Sequence, residues 1–215
     1  DYIRNFLERD IPQLGISIPS ATLRRFWTML AHYHGQRVQY AEIARSFGVS
    51  DMTVRRYIEI LEGAFMIRNV EPWLTNLGKR LIKHPKLYFT DSGIFHSLLA
   101  IHTEKDLRSH PKLGASWEGF VFSLLYGKLK RLGIAVYYWA THAGAEIDFF
   151  WQKANKNFAL EVKFADAPRL TPSMRIALSD LKLERLWVVY PGKIAYGLGN
   201  NISVVPIEEF IRKDL

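Results

Sequence analysis

Two segments in the second half of the chain alternate apolar and polar residues as half-buried strands do. They are Ala145-Glu146-Ile147-Asp148-Phe149-Phe150 and Phe158-Ala159-Leu160-Glu161-Val162-Lys163. The Lys-Ala-Asn-Lys-Asn run between them predicts a hairpin turn. Side chains in a strand repeat with a period of two, so Glu146 and Asp148 share a face, as do Glu161 and Lys163. Pairing the strands brings these charged faces together. Burying such charges among apolar neighbours is costly unless something offsets it, and a divalent cation held by carboxylate oxygens would.

The first half reads as helical. Pro12, Gly15 and Pro19 break an opening helix and form a connector, and a helix from about Leu23 to His34 places Leu23, Phe26, Trp27, Leu30 and Ala31 on one face. Residues 39–47 predict a second helix, Gly48-Val49-Ser50 a tight turn, and residues 51–64 a third helix. This is the helix-turn-helix pattern, whose last helix enters the major groove. Thr53, Arg55, Arg56 and Glu59 would face outward, with Val54, Tyr57, Ile58 and Leu61 in the core. Met66–Val70 is strand-like, and Trp73 through Phe89 is expected to form the wing of a winged helix. Its basic run of Lys79, Arg80, Lys83, His84 and Lys86 suits phosphate contacts.

Asp91 and Ser92 are read as caps of a helix from Ile94 to Ala100, and the polar stretch 102–112 as an interdomain linker. Ser116–Leu132 predicts an amphipathic helix with Phe120, Val121, Leu124, Leu125 and Leu129 buried and Glu118 in its first turn. A strand at 135–139 precedes the hairpin. A helix at about 172–181, strands at 186–190 and 202–205, and a short closing helix follow it. His142 is read as loop surface, and His32-x-His34 has the wrong spacing for a metal site on one helix face.

The fold class expected is therefore mixed α/β (α+β). Residues 1–20 would be a connector, 21–110 a winged helix-turn-helix, and 111–215 an αβββαβ core.

Asp148, Glu161-x-Lys163 and the helical Glu118, in that order, resemble the PD-(D/E)XK nuclease superfamily with its restriction-endonuclease-like fold. The resemblance implies that Asp148 and Glu161 hold Mg²⁺, that Glu118 completes the site, and that Lys163 orients or activates the attacking water. Its alternative is a satisfied ion-pair network around Lys163 in a non-catalytic interaction or regulatory domain.

A wider resemblance covers nearly the whole chain. Leu7-Glu8-Arg9-Asp10-Ile11, the helix of residues 54–64, Lys86-Leu87-Tyr88-Phe89-Thr90-Asp91-Ser92-Gly93, Trp117-Glu118-Gly119-Phe120-Val121 and the two carboxylate strands look like the carboxy-terminal half of a large prokaryotic AAA-type ATPase family. The resemblance implies an upstream P-loop ATPase domain that would bind ATP. No Gly-x-x-x-x-Gly-Lys-Ser/Thr occurs in these 215 residues, so no ATPase activity is expected from them. The helical character of Tyr2–Leu7 at the very start suggests a piece of something longer.

Charge adds a partner class. Lysines and arginines number 29 against 21 aspartates and glutamates, a net charge of +8 that divides evenly as +4 in residues 1–110 and +4 in 111–215. Such a balance favours a polyanion, with DNA the expected partner. The absence of cysteine excludes disulfides, zinc-thiolate sites and thiol catalysis within the sequence. Without an apolar run near the ~20 residues of a membrane span, and with a charged start, a cytoplasmic protein is expected.

Overall fold

The hairpin at the centre of the sequence pattern is present, and a sheet is built outward from it. A computed structural model describes residues 2–13, 18–74 and 83–213. Among these residues the chain forms two units. One takes in the residues up to Asn69 together with Leu87–His110, the other those from Val70 to Lys86 together with those from Pro111 onward.

The first unit opens with a helical turn α1 (Tyr2–Asn5), a π-helical stretch Phe6–Asp10 and a turn α2 (Ile11–Gln13). Pro12 therefore does not break the helix. It lacks an N–H, and the turn ahead of it widens so that the Ile11 N–H donates to the Phe6 carbonyl, five residues back. Next come α3 (Ser20–His32), β1 (Gln36–Arg37), α4 (Tyr40–Phe47), α5 (Asp51–Gly63), β2 (Ile67–Val70), β3 (Lys86–Phe89), α6 (Ser92–Leu98) and α7 (Glu104–Ser109), with Val70 at the end of β2 and Lys86 at the start of β3 counted in the second unit.

Gly48 ends α4 in the left-handed conformation, at φ 65°, which glycine adopts without steric cost. The Ser50 side chain then accepts from the Thr53 N–H and caps α5. The strands form a sheet of order β1-β3-β2. The core is apolar and aromatic, with Leu23, Phe26, Trp27 and Leu30 from α3 meeting Ile43, Val54, Ile58, Leu61, Leu87 and Phe89. Asp91 caps α6 as expected, its carboxylate accepting from the Ile94 N–H at 2.7 Å. The expected linker contains a helix instead. Thr103 and Asp106 form a reciprocal capping box that starts α7 in a polar stretch with no apolar stripe.

The second unit contains α8 (Leu113–Arg131), β4 (Tyr137–Ala140), β5 (Glu146–Lys153), β6 (Lys156–Val162), α9 (Pro172–Asp180), β7 (Leu183–Tyr190), β8 (Tyr196–Gly199), β9 (Ile202–Pro206) and α10 (Ile207–Arg212). The expected αβββαβ order is present, within a six-stranded mixed sheet of order β4-β5-β6-β7-β9-β8. Ala154 and Asn155, both at positive φ, make the two-residue turn that sets Lys153 opposite Lys156. Strands β6, β7 and β9 run parallel, and α9 makes the crossover between β6 and β7.

Two sequence expectations shift here. The buried stripe of α8 runs through Ser116, Gly119, Val121, Phe122, Leu125 and Leu129, while Phe120 is exposed. Phe122 stacks on Phe149 at 5.1 Å, and the small Ser116 and Gly119 share its buried side. β8 was not expected, because its Tyr-Gly-Leu-Gly sequence has two glycines and lies at the sheet edge.

Candidate functional site

Four acidic and two basic side chains converge in the second unit, and the strand ladder explains why. The β5–β6 pairing runs from Lys153 and Lys156 to Phe149 and Leu160. Continuing that register sets Asp148 against Glu161, and there side chains take over from backbone pairing. Asp148 Oδ2 accepts from the Val162 N–H at 2.8 Å, and Glu161 Oε2 accepts from the Asp148 N–H at 3.4 Å. Each carboxylate thus satisfies a backbone donor of the opposing strand. β7 holds the far side, with the Lys163 N–H donating to the Val189 carbonyl.

Around this pair stand the cations. Lys163 Nζ donates to Glu161 Oε1 at 2.6 Å. Lys86 Nζ lies 2.5 Å from Glu146 Oε1, 3.4 Å from Asp148 Oδ1 and 3.5 Å from Glu118 Oε1. Lys86 is 3% exposed, so this is a desolvated ammonium among carboxylates. Its nitrogen also sits 5.5 Å from the centre of the Tyr138 ring, and the Tyr138 hydroxyl donates to the His84 carbonyl. Tyr138 thereby touches the chain at two points around Lys86.

Burial, followed by the Asp148 charge, pushes the Glu161 carboxyl up to about 8, against the pull of Lys163 and Lys86. Lys163 is also raised. Burial acts to lower it, but Glu161, backed by Asp148 and Glu118, outweighs burial. One shift favours a neutral acid and the other an ion pair. The Glu161 direction carries more weight, because its side chain is 7% exposed and that of Lys163 is 38% exposed. Lys112 is half-buried, and desolvation lowers it despite the opposing pull of Glu118.

The structure thus brings together Glu118, Asp148, Glu161 and Lys163, the four residues expected from the sequence. It adds Glu146 and Lys86. Glu146 had been placed on the Asp148 face by period alone. Lys86 was expected on an exposed basic wing, contacting phosphate, and is instead buried in the carboxylate cluster. The legible signal was its position directly before the apolar Leu87-Tyr88-Phe89, which makes it part of a buried strand. Of the other expected wing residues, Lys83 is exposed, while Lys79 and Arg80 lie outside the described residues. Trp73, at the start of the expected wing, packs within the second unit against Tyr137 and Phe150 at 5.0 and 4.8 Å.

As arranged, these residues do not fit a divalent cation. One oxygen of each of Glu118, Glu146 and Asp148 faces the Lys86 ammonium, Asp148 Oδ2 is committed to a backbone donor, and Glu161 is tied to Lys163. Among the described residues no group of three His, Cys, Asp or Glu side chains is placed to hold a metal.

In the first unit, Arg55 and Arg56 are exposed on α5 and Thr53 is partly so, while Val54, Ile58 and Leu61 are buried and Tyr57 is half-buried. The Arg55 guanidinium lies over the Tyr40 ring, 3.8 Å from its centre, a cation–π contact within the first unit. His34 is a core residue, accepting from the Phe89 N–H through Nδ1 at 3.0 Å and stacking on Phe95 at 4.1 Å.

The chain matches two domains of unknown function. Residues 1–105 match the family model described as a domain of unknown function (DUF8612), and residues 113–210 match a second such model (DUF4143). The boundary between them falls just before α8. Two curated relatives are similar over almost the whole chain, an uncharacterized protein of Mycobacterium bovis and one of Mycobacterium tuberculosis. Each is 45% identical over 210 residues, covering 98% of this chain and 47% of the relative. The chain thus spans about half the length of the curated relatives it matches. No solved structure matches it. Among the described residues, no helix is long and apolar enough to cross a membrane.

Proposed function

We propose that this chain is the nucleic-acid-binding arm of a larger AAA-type ATPase. In this reading its first unit, a winged helix-turn-helix, contacts duplex DNA, and its second unit is a restriction-endonuclease-like core. The observation that carries the reading is the α4–Gly48–α5 arrangement. A left-handed glycine and a Ser50 cap set α5 so that Val54, Ile58 and Leu61 are buried while Arg55 and Arg56 stand outward. The net charge of +8 supports a polyanionic partner. The order of elements in the first unit, with its β1-β3-β2 sheet, is compatible with a winged helix, and the αβββαβ order of the second with a nuclease-like core. ATP would bind in the part of the longer protein that this chain does not span.

The test is fluorescence anisotropy with duplex DNA across a salt series. The double variant Arg55→Ala/Arg56→Ala should bind more weakly and with a salt slope shallower by about two. Equal binding by both proteins at every salt concentration would overturn the docking of α5.

A second reading concerns the core alone, namely that it is a non-catalytic interaction or regulatory module. Lys86 favours it, because Asp148, one of the two groups that the nuclease resemblance assigns to Mg²⁺, and Glu118, which would complete the site, already face its ammonium. Cleavage of labelled DNA or RNA in Mg²⁺ or Mn²⁺, lost in Asp148→Ala, would contradict it.

A further inference from the structure

Lys86 stands among the same oxygens that a metal would need. Its ammonium is 2.5–3.5 Å from one oxygen each of Glu146, Asp148 and Glu118, and its side chain is 4% exposed. A divalent ion takes carboxylate oxygens at about 2.0–2.6 Å. An ion bound by these three oxygens would fall within the volume of the ammonium group, and the two positive charges would repel strongly in a partly desolvated setting. Lys163 cannot play this part, because it serves Glu161 from the solvent side.

We propose that Lys86 is the resident counter-cation of this cluster, and that in this conformation it excludes a divalent cation. The lysine supplies one charge, fixed by the chain, in place of two supplied from solution. Tyr138 supports that placement, with its ring under the ammonium and its hydroxyl on the His84 carbonyl. A metal enters only when the Lys86 side chain leaves, so Lys86 itself acts as a latch on the carboxylate cluster. The inference is independent of whether α5 binds DNA.

Mn²⁺ binding tests this, followed by calorimetry and by thermal melting. The proteins compared are wild type, Lys86→Met, Lys86→Arg and Lys86→Met/Asp148→Asn. Wild type and Lys86→Arg should take up no metal saturably at millimolar concentration. Lys86→Met should bind at least about tenfold more tightly than wild type and melt higher with Mn²⁺ present. Adding Asp148→Asn should remove both effects. A merely structural lysine would not make stability depend on a metal. The proposal is overturned if wild type binds as tightly as Lys86→Met, or if folded Lys86→Met neither binds Mn²⁺ nor gains stability from it. Amine labelling of the wild type gives an answer even if Lys86→Met does not fold. Lys86 should stay unmodified while the exposed Lys83 reacts, and equal labelling of the two would refute the latch.

Discussion

The two units handle charge in opposite ways. In the first, the core is aromatic and aliphatic, His34 is buried in it with Nδ1 accepting a backbone hydrogen bond, and the arginines of α5 remain in solvent. In the second, Lys86 and Glu161 are buried and Asp148 nearly so, each bound to partners on other segments of that unit. Exposed charge costs little and serves a partner that arrives from solution. Buried charge is costly to hold and must be balanced on the spot. The contrast separates a surface whose charges stand in solvent from a cluster whose cations are built into the chain.

Breaking the buried balance should have the largest effect. Lys86→Met leaves three carboxylates facing one another and should lower stability by about 3–5 kcal/mol in urea unfolding. The surface change Arg56→Ala should stay within about 0.5 kcal/mol. Comparable losses in the two variants would erase the distinction between the units.

His34→Ala should cost about 2–4 kcal/mol. It removes a stacked ring from the first core and leaves the Phe89 N–H without its acceptor. Here the loss should be insensitive to divalent cations, which sharpens the comparison with Lys86→Met.

A smaller, pH-dependent effect belongs to Glu161. Its carboxyl is pushed from its ordinary value of 4.5 up to about 8 by burial and by Asp148. Between those two pH values the folded chain holds a proton that the unfolded chain has released, so stability falls as pH rises through the window and levels off above about 8. Glu161→Gln should flatten this slope, as read from urea midpoints at intervals across the range. An unchanged slope would mean that Glu161 is ionised throughout and that its pairing with Lys163 dominates.

Most of the architecture was legible from local signals. The alternation around Asp148 and Glu161, the Asn155 turn and the Gly48-Val49-Ser50 break each correspond to an element in the structure, because each is decided by neighbouring residues. Where tertiary packing decided, the local signal misled. Phe120 and Phe122 are equally apolar, and only the stacking on Phe149 selects Phe122. The short, glycine-rich β8 is a strand because β9 pairs with it. Within the site, Glu118, Asp148, Glu161 and Lys163 were readable because they lie on one helix, on two adjacent strands and at the residue just past the second strand. Lys86 was missed: it lies 62 residues before Asp148 in sequence, in a run of basic residues that resembles a solvated surface, and the apolar Leu87-Tyr88-Phe89 after it was the one local cue to its burial.

The most direct test of the central claim is a crystal structure of the wild type grown with millimolar Mn²⁺, with anomalous scattering used to locate the metal. The Lys86 ammonium should lie between Glu118, Glu146 and Asp148, with no anomalous peak there. A manganese peak bound to Asp148, with Lys86 turned away, would contradict it.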